Sequence, residues 1–151
     1  MRLFFLILFI VLFVPIHSQV KIDDVGDGWK LRVDSAVALI RNTDSDKYKL
    51  LIEVCNHISY WNGGFSTIED SSTILITQRD MLYGSINNIA AIIIHESKHL
   101  FYLKNNVKLP PHEEELRCYK YELDFLNKIP NVEPWLIGNA KDKIRLYSSL
   151  D

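Results

Sequence analysis

Apolar residues recur along the chain with two distinct periods, and the changes of period mark out its elements. Tyr48, Leu51, Ile52, Cys55 and Ile58 fall three and four residues apart. That is the spacing of one helical face, so residues 47–60 are predicted as a helix, as are residues 34–41. Trp61-Asn62-Gly63-Gly64 breaks the pattern. Ser72-Thr73-Ile74-Leu75-Ile76-Thr77 is short and rich in β-branched residues, which predicts a strand, with residues 65–68 as a partner for it. Further helices are expected over 86–102, 111–128 and 135–148. Asn105-Asn106 and Pro110-Pro111 mark the loop between the first two of these. Pro111 suits a first helical turn, and Pro130 and Pro134 separate the last pair. Residues 19–30 are mostly polar around Gly26-Asp27-Gly28 and read as a turn or a loose terminus. There is no internal repeat and no long linker.

Residues 3–16 follow neither period. They run from Leu3 to Ile16 without a charge or a polar side chain, with Pro15 near the end. A membrane span needs about 20 apolar residues. With Met1-Arg2 before it and His17-Ser18-Gln19 after it, the run reads as a signal peptide over residues 1–18, cut near Ser18 or Gln19. An uncleaved anchor is the alternative. In either case residues 19–151 are expected to leave the cytoplasm, secreted or periplasmic, and to keep no stable membrane span once the leader is gone. They are expected to form a single domain, a length sufficient for a real core.

Composition narrows the class. Hydrophobic residues make up 48% of the chain and charged residues 24%, values of a globular protein rather than a disordered one. The formal net charge of −2 gives no basic excess to attract phosphate backbones, which argues against nucleic acid as a partner. The leader contains one Arg, Arg2, and one His, His17, so its removal leaves this conclusion intact. Two cysteines, Cys55 and Cys118, are too few for a disulfide scaffold. Export permits a bond between them; two buried thiols are the other reading.

The chemistry concentrates in His95-Glu96-Ser97-Lys98-His99. Residues four apart share a helical face, so on a helix two imidazoles point to one place, as a zinc ion requires. Glu96 falls beside them, within reach of a water on the metal. A metal lowers the pKa of its water, and a neighbouring carboxylate can take the proton. The preceding Ile89-Ala-Ala-Ile-Ile-Ile94 is apolar all round, as in a helix through the middle of a domain, with Ser85 or Asn87 to cap it. The same isoleucines suit a buried strand. A strand would set His95 and His99 about 13 Å apart, too far for one metal. Leu100 and Phe101 carry the apolar run past the motif and favour the helix.

Two histidines leave a zinc site incomplete. The version of the motif with Gly three residues on and His three beyond fails, because Tyr102 and Asn105 stand there. A carboxylate on a later helix remains, and Pro111-His112-Glu113-Glu114-Glu115-Leu116-Arg117-Cys118 offers one. His95-Glu96-x-x-His99 followed by Glu115-x-x-Cys118 resembles the gluzincin group of zinc metallopeptidases. The resemblance covers the two motif helices and nothing before residue 72. It implies an α+β, zincin-like fold, mostly helical with a short sheet, in which the His-Glu-x-x-His helix packs on the Glu-bearing helix. It implies that Zn2+ is held by His95, His99 and Glu115 and that Glu96 is catalytic. It also implies that the strand at 72–77 is the edge strand lining a peptide cleft, and that Cys118 lets the helices approach.

The chain departs from that group at Tyr119, where many members carry an Asp that orients a histidine. Glu114, Glu122 and His112 stay open as alternative ligands, and an acidic first turn explains at least two of Glu113, Glu114 and Glu115 without any metal. Tyr102, Tyr119 and Tyr121 are candidate donors to an oxyanion. His57 reads as a satisfied histidine, and Trp29, Trp61 and Trp135 as core or rim. The expected function is an exported zinc peptidase acting on a peptide or protein substrate. The alternative is a non-catalytic exported metal-binding or interaction protein with the same helices.

Overall fold

The computed structural model describes residues 20–26 and 28–150. The expected leader, residues 1–18, lies outside them. The element order is β1 (Lys21–Ile22), α1 (Trp29–Thr43), α2 (Ser45–Val54), β2 (His57–Trp61), β3 (Thr67–Ile68), β4 (Thr73–Thr77), α3 (Gln78–Tyr83), α4 (Ile86–Lys104), α5 (Pro111–Leu126) and α6 (Pro134–Ser148). The architecture is mixed α and β: mostly helical, with one four-stranded sheet in the order β1-β2-β4-β3. No helix among the described residues is long and apolar enough to cross a membrane.

The helix starts follow from their caps. Asp44 accepts from the backbone N–H of Asp46 and Lys47, Thr77 from Asp80 and Ser85 from Asn88, each satisfying donors the helix itself cannot. Pro111 and Pro134 open α5 and α6 in the first turn. After α4, Asn106 takes a left-handed conformation (φ 52°), which asparagine tolerates, and the chain turns back toward α5.

Three sequence expectations change. The helix expected over 47–60 ends at Val54, and residues 57–61 form β2. Cys55 is already extended (φ −107°, ψ 119°), and Ile58 is buried from a strand, not from a helix face. The cause is tertiary. His57–Trp61 pairs in parallel with β4, with Ile58 opposite Ile74, and the ladder takes backbone groups a helix would otherwise have used. Residues 19–30 are not loose: β1 pairs in parallel with β2, and α1 begins at Trp29, five residues before its predicted start.

The third change concerns the edge of the sheet. β4 is flanked on both sides, parallel to β2 and antiparallel to β3, and all five of its residues are buried. Such a strand reads as a continuous apolar run. The edge is β3, paired through Thr67 with Leu75 and Ile68 with Ile74. The predicted pairing of 65–68 with 72–77 is therefore present, but the edge is the other member of the pair.

One core holds these layers together. α4 packs on α1, α2 and β4 on one side and on α5 on the other, and α6 covers α5. Ile89, Ala90, Ala91, Ile93 and Ile94 are buried, so the apolar girth of α4 is spent on a central position. Cys55 and Cys118 are both buried free thiols. The Cys55 thiol points to the carbonyl of His57 at 3.2 Å, and burial pushes its pKa up to about 12. An ion cluster, buried at Lys47 and Asp44 and exposed at Asp124 and Lys128, ties α2 to α5. Lys47 lies 2.8 Å from Asp124 and 3.7 Å from the centre of the Tyr121 ring, while Lys128 reaches Asp44 at 2.8 Å.

Candidate metal centre

Helix α4 presents His95 and His99 one turn apart, and α5 brings Glu115 against them. The two Nε2 atoms are 3.2 Å apart. One carboxylate oxygen of Glu115 is 3.4 Å from His95 Nε2, and the other is 3.5 Å from His99 Nε2. A tetrahedral ion with bonds of about 2.0–2.1 Å separates its ligand atoms by about 3.3–3.4 Å. The three side chains are therefore close enough together to share one such ion, and all three line one cleft.

The outer nitrogens are also engaged. His95 Nδ1 is 3.0 Å from Glu122 and His99 Nδ1 is 2.7 Å from Glu114. Because a carboxylate accepts, each Nδ1 is placed to donate, and each Nε2 faces the common focus. Glu114 and Glu122, the alternative ligands, lie against the outer nitrogens, behind the histidines. This also accounts for Tyr119, whose ring packs edge-on against His95 at 4.3 Å and stacks on Tyr147 at 5.8 Å. The orienting carboxylate comes from Glu122, two turns after Glu115, where sequence reasoning had looked one turn after it.

Cys118 Sγ also comes within 4.8 Å of a nitrogen of each histidine. Its thiol is fully buried, burial raises its pKa, and it does not line the cleft. Glu115 lies 3.4 Å from His95 Nε2 and lines the cleft. His112, in the first turn of α5, does not line the cleft.

The site carries an excess of negative charge away from water. Burial pushes Glu96, 8% exposed, up to about 8; His95 opposes this, while Glu115, Glu122 and Asp80 add to it. For His95 burial opposes protonation. The hydrogen bonds to Glu115 and Glu122 and the fields of Glu96 and Glu122 overcome it and carry the imidazole up to about 10. Both shifts have one meaning: four carboxylates around two imidazoles take up positive charge, and a proton is the least they accept. A divalent cation suits the donor set of two nitrogens and a carboxylate.

Two cavities, of about 320 and 230 Å3, meet at His95 and share Phe65, Ser66, His95, Glu96 and Tyr119. The β3 edge, Thr67 and Ile68, forms one wall of the first, with Tyr147 of α6 opposite. Asp80, Asn88 and Asn139 line the second. Of the three tyrosines proposed as donors, only Tyr119 faces the cleft. Tyr102 and Tyr121 flank the Lys98 ammonium at 4.8 and 5.2 Å on another side of α4. Tyr147 escaped sequence reasoning, since nothing in the α6 pattern separates it from a surface tyrosine.

No family model matches the chain, and neither a characterised protein nor a solved structure is similar enough to count as a relative.

Proposed function

We propose that the protein is an exported zinc-dependent peptidase of the zincin-like, gluzincin type. The observation that carries this reading is the convergence of His95 Nε2, His99 Nε2 and the Glu115 carboxylate on one point, with a carboxylate behind each imidazole. These three side chains would hold Zn2+, which supplies carbonyl polarisation and an acidified water when bound. Glu114 and Glu122 hold the imidazoles in the tautomer that leaves Nε2 free. Glu96 takes a proton from the attacking water on its carboxylate and returns it to the leaving amine. A divalent charge beside Glu96 favours the ionised form this role needs. The exposed edge of β3 accepts the backbone of an extended peptide, and Tyr119 or Tyr147 donates to the developing oxyanion.

The test separates binding from chemistry. Glu96→Gln is expected to keep one equivalent of zinc by mass spectrometry of the native protein and to lose peptide hydrolysis by about 10²–10⁴-fold. A zinc-loaded wild-type protein with no hydrolysis of a peptide library overturns the peptidase reading and leaves a metal-binding protein.

A further inference from the structure

A second cavity, of about 220 Å3, lies on the far side of α3 from the metal centre and shares no lining residue with the cleft. α3 divides the two: Arg79 and Asp80 line the cleft, Met81 and Leu82 the second cavity. Its position follows from the topology. β1, β2 and β4 run parallel, and the chain leaving each of them reaches this place: Val25 after β1, Tyr60 at the end of β2 and Gln78 after β4. The crevice beyond the carboxyl ends of parallel strands is where open α/β sheets take their ligands.

Three observations give that ligand a charge and a character. Among the described residues the lining holds one cation, Arg32, and no carboxylate. Arg32 donates through Nη2 to the carbonyl of Gly84, but its Nε is buried without a partner, and so is Nε1 of Trp29, a residue 4% exposed. Buried N–H groups without acceptors are rare. The amino-terminal end of α1 lies here as well. Its cap is Gly28 (φ 72°), with no side chain to accept from the first turn and no acidic residue within that turn. The Trp29 backbone N–H is taken by the Gly26 carbonyl at 3.0 Å; the remaining first-turn N–H groups and the helix dipole favour an anion at such an end. The remaining walls are apolar: Trp29 meets Tyr60 edge-on at 5.4 Å, Met81 is buried, and Val25 and Leu82 form an exposed rim, 53% and 55% accessible.

The geometry points to a binding site for an organic acid of about amino-acid size, its carboxylate at the Arg32 guanidinium and Trp29 indole N–H and its apolar body against Met81, Tyr60 and the Val25–Leu82 rim. A carboxylate matches the planar donors of a guanidinium. The apolar walls favour an organic anion over inorganic phosphate. This site is independent of the metal centre and of the activity proposed there.

The indole N–H resonance of Trp29 reads the site directly, because an arriving acceptor shifts it. N-acetyl-L-leucine titrated into the 15N-labelled protein is expected to move the Trp29 signal saturably and to leave that of Trp135, on α6, in place. N-acetyl-L-leucinamide and inorganic phosphate are each expected to bind at least about tenfold more weakly, since one lacks the charge and the other the apolar body. Arg32→Gln is expected to lose the response. Leu82→Asp, at an exposed rim position that leaves the core intact, is expected to weaken it at least about tenfold by like-charge repulsion. An unmoved Trp29 signal, acid and amide titrating alike, phosphate binding as tightly as the acid, or unaltered binding in both variants each overturns the assignment.

Discussion

Two clusters of histidine and carboxylate in this molecule have similar ingredients and opposite organisation. At the β1–β2 edge, Asp23 takes His57 Nε2 at 2.8 Å on one oxygen and the Ser59 hydroxyl at 2.6 Å on the other. Each group satisfies its neighbour, and nothing points at a shared empty place. Between α4 and α5, by contrast, His95 Nε2, His99 Nε2 and Glu115 point at one another across 3.2–3.5 Å, and the satisfied contacts are on the outer side. The first arrangement is closed on itself, whereas the second leaves two imidazole nitrogens and a carboxylate facing one another, the arrangement the proposed zinc site would use. Residue types alone do not distinguish them; the direction in which the lone pairs face does.

The comparison can be broken most sharply at Glu115. Glu115→Ala removes one of the three proposed ligand groups and is expected to reduce zinc affinity by more than the 10–100-fold typical of losing an outer partner. Zinc competition with a chromogenic chelator measures it, and unchanged affinity would move the third ligand elsewhere, Cys118 first. Glu122→Gln and Glu114→Gln sharpen the contrast within the centre. Each keeps a hydrogen-bonding side chain but loses its charge, so each is expected to weaken zinc by about 10–100-fold in the same assay while leaving all three ligands in place.

The β-edge cluster should respond only in stability. Asp23→Asn is expected to leave zinc affinity unchanged and to cost about 1 kcal/mol in urea unfolding at neutral pH. The hydrogen bonds from Ser59 and His57, with the His57 and Lys21 charges, outweigh burial and hold the Asp23 carboxyl below its ordinary 3.8. A carboxyl depressed by folding contributes stability that is fully present above its unfolded value and drains away as the pH falls through the folded one. The difference between wild type and Asp23→Asn is therefore expected to be constant above about pH 5 and to shrink below about pH 4. A gap that persists at lower pH would show that the lost hydrogen bonds, and not the charge, carry the effect.

Legibility in the sequence followed period and length. α4 and α5 were readable within two residues because long apolar periodicity, the Ser85 cap and Pro111 all agree. β4 was readable from its β-branched run, though not its place inside the sheet. β2 was misread because Leu51, Cys55 and Ile58 keep helical spacing across a boundary that a strand partner imposes. β1 and α3, of two and six residues, are too short to show a period at all. Within the centre, the His95–His99 pair was legible from spacing and Glu115 was singled out only by the family resemblance, whereas the places of Glu122 and Tyr147 depend on a rotation about α4 that no local pattern encodes.

By itself, then, the amino-acid order determined the helix pair, the four-residue interval that stacks two imidazoles, and the supply of carboxylates in the first turns of α5. Those properties depend on backbone geometry within a few residues. The tertiary structure decided which carboxylate meets both Nε2 atoms, which ones stand behind the rings, that β3 and not β4 borders the cleft, and that Trp29 and Arg32 close a second cavity. These depend on the approach of elements far apart in the chain, where close packing of the shared core selects one rotation of each helix out of many that its sequence allows.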